Sequence, residues 1–342
     1  MQLKIQNLIT QLFETLSLGT VTVPVAPVSG GFMHRVYKVC TENHTYAVKH
    51  LNPEIMKRPG AMDNYKKAEL LEAILEDTGI PIVSAITFNG KKMQEFQGNY
   101  FYIFEWHNGS ITDWNNITPE QCWKAGNIQG RIQAIKTKNI ASVAQQSVTP
   151  ELSTIDWNEY ITQATSSAPE TLTKEVESLL KENLPLLEYA QTELNKARKS
   201  LPNIITIIDE DMDPKNVMWE NGEPVVIDLE CLDYGNPVSS AIQLSLQWSG
   251  ITLCNFDSEK QKSFFQGYLA VYDNGFRDYK SVFGLTYTWI EWLEYNIQRA
   301  LGASQDKTEQ EMGLAEVKNT INRIKYIHKM EDKIKNNLTF ED

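Results

Sequence analysis

Four carboxylates crowd into five residues at Asp209-Glu210-Asp211-Met212-Asp213, and Pro214-Lys215-Asn216 follow at once. Like charges at that spacing repel and raise one another's pKa, so the cluster needs water or a cation among its members. Asp211 and Asn216 stand five apart after an apolar run, Asn203–Ile208. Asp228 comes twelve residues after Asn216 inside a second apolar run, Val225-Val226-Ile227-Asp228-Leu229-Glu230. An unpartnered carboxylate in such a run is costly, which favours a ligand role. A phosphoryl-transfer loop uses this arrangement: one Asp orients the attacking hydroxyl and accepts its proton, while an Asn and a second Asp hold Mg²⁺ against nucleotide phosphates. Hard oxygen ligands suit that ion. A calcium loop is the competing reading, with Asp209, Asp211, Asp213 and Glu220 at its positions 1, 3, 5 and 12. It fails at position 6, where Pro214 stands in place of the glycine that the sharp turn requires. Its flanks are also β-rich rather than helical.

The elements that must carry these residues fall into two groups. The opening MQLKIQNLITQLFETLSLG is amphipathic and reads as a surface helix rather than a signal peptide. Val36–Val39 and Tyr46–Lys49 flank a polar turn and predict a β-hairpin. Residues 60–78 predict a helix, with Leu70, Leu71, Ile74 and Leu75 at helical spacing and Gly79 and Pro81 at its end. Further strands follow, with Asn89-Gly90 and Gly98-Asn99 as turns. Residues 1–105 therefore form a small β-rich lobe with a leading helix. Residues 106–342 form a larger helical lobe, which contains the two short strands around the acidic loop. The break lies near WHNGS at 106–110, and the fold class is α+β.

Bulk properties narrow the partners. A hydrophobic content of 42% supports a sizeable core, and a net charge of −12 leaves no basic stripe for a nucleic-acid backbone. The acidic balance leans toward a cationic small substrate. Cys40, Cys122, Cys231 and Cys254 lie far apart without a CxxC pair, which fits free thiols in the cytoplasm and disfavours zinc. No run reaches the ~20 apolar residues of a membrane span.

DEDMDPKNVMW resembles the HGDLHPGNVLW-type loop of the aminoglycoside phosphotransferase and choline kinase group, which has a two-lobed protein-kinase-like fold. VVIDLE is similar to that group's metal-binding IDxE strand, and Gly235-Asn236-Pro237 to the GDP after it. SGGFMHRVYKV, AVKHL and YFYIFEWHNG resemble its glycine loop, lysine strand and hinge, so the likeness spans roughly residues 25 to 245. The resemblance implies a kinase moving the γ-phosphate of ATP or GTP to a small-molecule hydroxyl with Mg²⁺. It makes Asp211 the catalytic base and Asn216 and Asp228 the metal ligands. It brings Lys49 to the phosphates, paired with Glu69, or with Glu72 one turn later. Gly30 and Gly31 let backbone N–H groups approach the phosphates, and Phe104, Glu105 and Trp106 offer backbone hydrogen bonds to the base. Three positions depart from the pattern: Asp209 replaces histidine, Ser240 an aspartate, and His34 an asparagine. Asp209 motivates an alternative, a pseudokinase that binds nucleotide or metabolite without efficient transfer.

A cationic acceptor would need acids and aromatics. Period two places Glu230 on the strand face of Asp228, as a supporting acid or a partner for a substrate cation. Asp233 is a further candidate. In TWIEWLEYNIQRALG, Ile290, Leu293, Ile297 and Leu301 make a core stripe, while Glu291, Trp292 and Tyr295 lie on another face and offer an aromatic, acidic wall.

Overall fold

The computed structural model describes residues 2–28, 34–136, 151–166, 171–303 and 307–339. It divides into two units, Met1–Ile111 with Lys215–Asp233, and Thr112–Pro214 with Tyr234–Asp342. Sequence reasoning placed one break after residue 105. The structure instead gives residues 215–233 to the first unit, and backbone pairing is the cause. Val83 N–H donates to the Val226 carbonyl and Val226 N–H to that of Pro81, both at 2.8 Å, and Ser110 pairs with Trp219.

The first unit is built on an antiparallel sheet. Its strands are β1 (Ala26–Val28), β2 (Arg35–Cys40), β3 (Thr45–His50), β4 (Gln94–Phe96) and β5 (Asn99–Glu105), in the order β1-β2-β3-β5-β4. Alternation gives the sheet two different faces. Tyr37, Val39, Tyr46, Val48, Phe101 and Ile103 point one way and pack on Ile9, Leu12 and Phe13 of helix α1 (Gln2–Thr15). That is how the amphipathic opening segment hides its apolar side. The other face carries Lys49 and its cross-strand neighbour Tyr102, covered by Tyr65. Tyr65 belongs to helix α3 (Ala61–Glu76), which follows a one-turn helix α2 (Pro53–Met56). Leu70 does not join the expected apolar stripe of α3: it is 69% exposed. The hairpin Val217–Glu220 and Glu223–Val226 completes the unit and pairs with the short β6 (Ser110–Ile111).

The second unit is mainly helical, with α4 (Pro119–Gln133), α5 (Trp157–Ser166), α6 (Thr171–Lys199), α7 (Pro237–Trp248), α8 (Ser258–Leu269), α9 (Trp289–Gln298), α10 (Lys307–Lys329) and α11 (Glu331–Asn337). Helix α4 starts where the sequence signals it. Thr118 Oγ1 accepts from Gln121 N–H at 3.2 Å and Gln121 Oε1 from Thr118 N–H at 3.0 Å, a capping box with Pro119 in the first turn. Among the described residues, no helix is long and apolar enough to cross a membrane.

Helices α4 and α8 meet backbone to backbone. A Cβ at Gly126 would lie 1.9 Å from the Phe264 carbonyl oxygen, and one at Gly267 would lie 1.9 Å from that of Trp123. Gly126→Ala is therefore expected to destabilise the protein by about 2–3 kcal/mol, because overpacking outweighs the gain of about 1 kcal/mol in helix propensity. A thermal melt checks this; an unchanged or raised Tm would contradict the close approach.

Candidate active site

Lys49 is the centre of the first unit's polar face. Its residue is only 6% exposed, yet its ammonium has two carboxylates at hand: Asp228 Oδ1 at 2.6 Å and Glu230 Oε1 at 2.8 Å. Burial works to lower the Lys49 pKa, but Glu230 and Asp228 more than offset it, so the net direction is upward and the ammonium stays charged. Burial raises Glu230 to about 7 against the pull of Lys49, with the Asp228 charge adding to the rise.

His34 closes this cluster. Its Nδ1 accepts the backbone N–H of Asn52 at 3.0 Å, while its Nε2 lies 3.0 Å from Tyr65 Oη and 3.6 Å from Glu230 Oε2. A backbone donor on Nδ1 leaves the neutral ring with its proton on Nε2. Burial, then the Lys49 charge, push His34 down to about 4, with Asp228 opposing. A depressed histidine pKa stabilises the fold above the unfolded value, and that contribution is lost as pH falls from about 6.5 toward about 4. His34→Gln is expected to remove on the order of 2–3 kcal/mol of this acid sensitivity. Tm against pH for the two proteins checks it; parallel curves would contradict it.

The expected partner of Lys49 is elsewhere. Glu69 Oε1 accepts from Tyr102 Oη at 2.8 Å and from the Met93 N–H at 3.1 Å. Glu72 accepts from the Ala85 N–H at 2.8 Å and pairs with Lys92 at 2.8 Å. Glu69 and Glu72 thus brace the segment leading into β4 and β5, and Glu230 stands beside the lysine instead.

Asn216 and Asp228 come together within the first unit. Ile227 N–H donates to the Asn216 carbonyl at 2.9 Å, which ties the residue before Asp228 to Asn216. Asp228 is left-handed at φ 63°, ψ 57°, and Leu229–Cys231 forms a 3-10 turn. Period-two alternation therefore does not apply from 228 to 230; the turn is what brings both acids to Lys49. Aspartate tolerates the left-handed region better than most residues, and such strain gathers at functional positions. No three His, Cys, Asp or Glu side chains group as a metal centre among the described residues. Two side-chain oxygens, one each from Asn216 and Asp228, would suit an ion that takes its remaining ligands from phosphates and water.

Of the three residues expected to offer backbone bonds to the base, the register singles out Glu105. Trp106 N–H donates to the Thr45 carbonyl at 3.0 Å, and Phe104 stands opposite Ala47 in the β3–β5 ladder. Hydrogen-bonded pairs alternate in an antiparallel ladder, so the backbone groups of Glu105 face away from β3. Trp106 is further fixed by Lys38, whose ammonium lies 4.1 Å from its ring centroid. Gly30 and Gly31 lie outside the described residues.

Asp209 and Asp211 belong to the second unit, at the end of the fully buried strand Thr206–Asp209. Asp209 Oδ1 accepts the backbone N–H of Asp211 at 3.1 Å, and Trp248 Nε1 donates to the Met212 carbonyl at 2.9 Å. Asp209 thus fixes the loop from the position where the resembling motif has histidine. The elements either side of the loop are strands, which excludes the two-helix frame of the calcium reading. Asn236 of Gly235-Asn236-Pro237 caps α7, its Oδ1 accepting from Val238 and Ser239 N–H at 3.0 and 3.3 Å. Ser240, one turn in, is fully buried and accepts from Gln129 Nε2 at 2.7 Å.

A family model described as a phosphotransferase enzyme family matches residues 24–282, well over half of the chain. The chain belongs to that phosphotransferase family. Solved structures agree on a kinase-like fold. A spectinomycin phosphotransferase in complex with ADP and spectinomycin has a TM-score of 0.66 at 16% identity, covering 92% of this chain and 96% of that one. An amicoumacin kinase in complex with AMP-PNP, Ca²⁺ and Ami has a TM-score of 0.58 at 13% identity, covering 94% and 95%. An ethanolamine kinase of Plasmodium vivax has a TM-score of 0.55 at 16% identity, covering 86% and 80%. No curated protein sequence matches the chain.

In this phosphotransferase, the other sequence-derived acceptor candidates have partners of their own. Asp233 pairs with Lys67 of α3 at 2.6 Å. Glu291 is gripped by the Arg198 guanidinium through two bonds, of 2.6 and 2.9 Å. Trp292, 39% exposed, stacks on Tyr295 with ring centroids 5.3 Å apart. Tyr65 was missed from sequence, because one tyrosine on a helix carries no motif.

Proposed function

We propose that this phosphotransferase moves the terminal phosphate of ATP or GTP to a hydroxyl of a small, preferably cationic, molecule, with Mg²⁺. The observation that carries the reading is the buried Lys49 ammonium between Asp228 and Glu230, on a unit that also holds Asn216. Lys49 would meet the nucleotide phosphates, a task that suits a compact ammonium. Asn216 and Asp228 would hold the metal, which when bound neutralises charge on the phosphates. Glu105 would offer backbone groups to the base. Asp211, fixed by Asp209, would align the acceptor hydroxyl and take its proton. Neighbours that bind ADP, or AMP-PNP with Ca²⁺, support a nucleotide and a divalent ion at this fold. The net charge of −12 favours an amine-bearing acceptor, which electrostatic attraction would steer.

The test is a transfer assay with ATP and GTP as donors across aminoglycosides, macrolides, amino alcohols and sugars, with products read by mass spectrometry. Mg²⁺-dependent phosphorylation of at least one class is expected. Nucleotide binding with no transfer to any acceptor would favour the pseudokinase reading instead.

A further inference from the structure

We infer that Glu230 is the positioning residue that aims Lys49 at the nucleotide phosphates, a task that neither Glu69 nor Glu72 of α3 performs. The inference rests on the kinase reading above and deepens it.

Four contacts carry it. Glu230 Oε1 is 2.8 Å from the Lys49 ammonium, while Glu230 Oε2 is 3.6 Å from His34 Nε2. His34 is itself anchored through Nδ1 to the Asn52 backbone and lies against Tyr65 Oη. The direct link is the 2.8 Å contact of Glu230 with the ammonium; the neutral imidazole, fixed by the backbone before α2, packs beside the other carboxylate oxygen without a hydrogen bond to it. The side chains of Lys49 and Glu230 are 8% and 15% exposed, so solvent screens this contact little. Asp228 also touches Lys49, but a metal ligand needs its oxygens for the ion. Glu230 is the acid left to hold the lysine once Asp228 turns to a metal. The carboxylates of Glu69 and Glu72 are engaged by Tyr102, Met93, Ala85 and Lys92. It follows that the orientation of Lys49 does not depend on Glu69 or Glu72.

The test is a double-mutant cycle on AMP-PNP affinity, measured by calorimetry with and without Mg²⁺. Glu230→Gln keeps shape and removes charge. It is expected to weaken AMP-PNP roughly ten-fold with or without the metal, whereas Glu69→Gln shifts affinity less than about two-fold. In a Lys49→Met background, Glu230→Gln is expected to cost nothing further, since its effect acts through the lysine. Glu230→Asp, which keeps the charge but shortens the reach to the ammonium, should move affinity in the same direction by roughly three-fold and also lose its effect in that background. This second arm stands if Glu230→Gln does not fold. An effect of Glu230→Gln seen only with Mg²⁺ would make Glu230 a metal ligand and overturn the inference. Equal effects at Glu69 and Glu230, or additive effects with Lys49→Met, would overturn it too. Failure of the wild type to bind AMP-PNP at all would instead sink the kinase reading.

Discussion

Asp211→Asn is expected to lower kcat by roughly 10²–10⁴-fold while nucleotide affinity stays within about two-fold of wild type. The amide keeps the size of the carboxylate but cannot take a proton. Asp211 is seated by the Asp209 carboxylate on its own N–H, and the loop is pinned again at Met212 by Trp248, so the substitution leaves the scaffold in place. The readouts are kcat with whichever acceptor the panel identifies, together with AMP-PNP titration. A variant of full activity would remove Asp211 from the chemistry. Equal loss of binding and turnover would make it a structural residue of the loop.

Lys49→Met is expected to fail in two ways. Transfer loses its fixed positive charge at the phosphates, which costs roughly 10²–10³-fold in kcat/KM. The fold loses the cation between Asp228 and Glu230, on the order of 3 kcal/mol for a buried pair broken on one side. The stability loss should depend on pH in a defined sense. Burial already raises Glu230 to about 7 with the lysine present, and removing the ammonium raises it further. A carboxyl raised in the folded state favours folding as it takes up its proton, so the deficit shrinks as pH falls from about 8 toward about 6. Melts of wild type and Lys49→Met at both ends of that range read the difference. A deficit that grows on acidification would mean that the two acids are not held by this lysine.

Local chemistry made much of this molecule legible before any coordinates. Alternation around Tyr46, Val48 and Lys49 marks a strand with a charged residue out of phase with its apolar face, and the sheet places it so. Thr118-Pro119 announces a helix start that the capping box completes. Spacing after apolar runs singles out Asn216 and Asp228, and the paired strands Val217–Glu220 and Glu223–Val226 bring the backbone at Asn216 and Ile227 together. What stayed hidden is choice among equals. Helix α3 offers Glu69, Glu72 and Glu76, and which of them meets a lysine depends on Lys92 and Tyr102, which arrive from far along the chain. Glu230 was placed beside Asp228 by strand periodicity, although a left-handed residue and a 3-10 turn produce the contact. The transfer of residues 215–233 to the first unit was equally out of reach, because it depends on pairing between Val226 and the distant Pro81–Val83 backbone.

Calorimetric titration of AMP-PNP into wild type and Asp228→Ala, each with and without Mg²⁺, bears on the core of this account. Wild type should bind at least ten-fold more tightly with the metal than without it, and Asp228→Ala should lose that difference. Wild-type affinity indifferent to Mg²⁺, or an Asp228→Ala protein that keeps the full metal dependence, would contradict it.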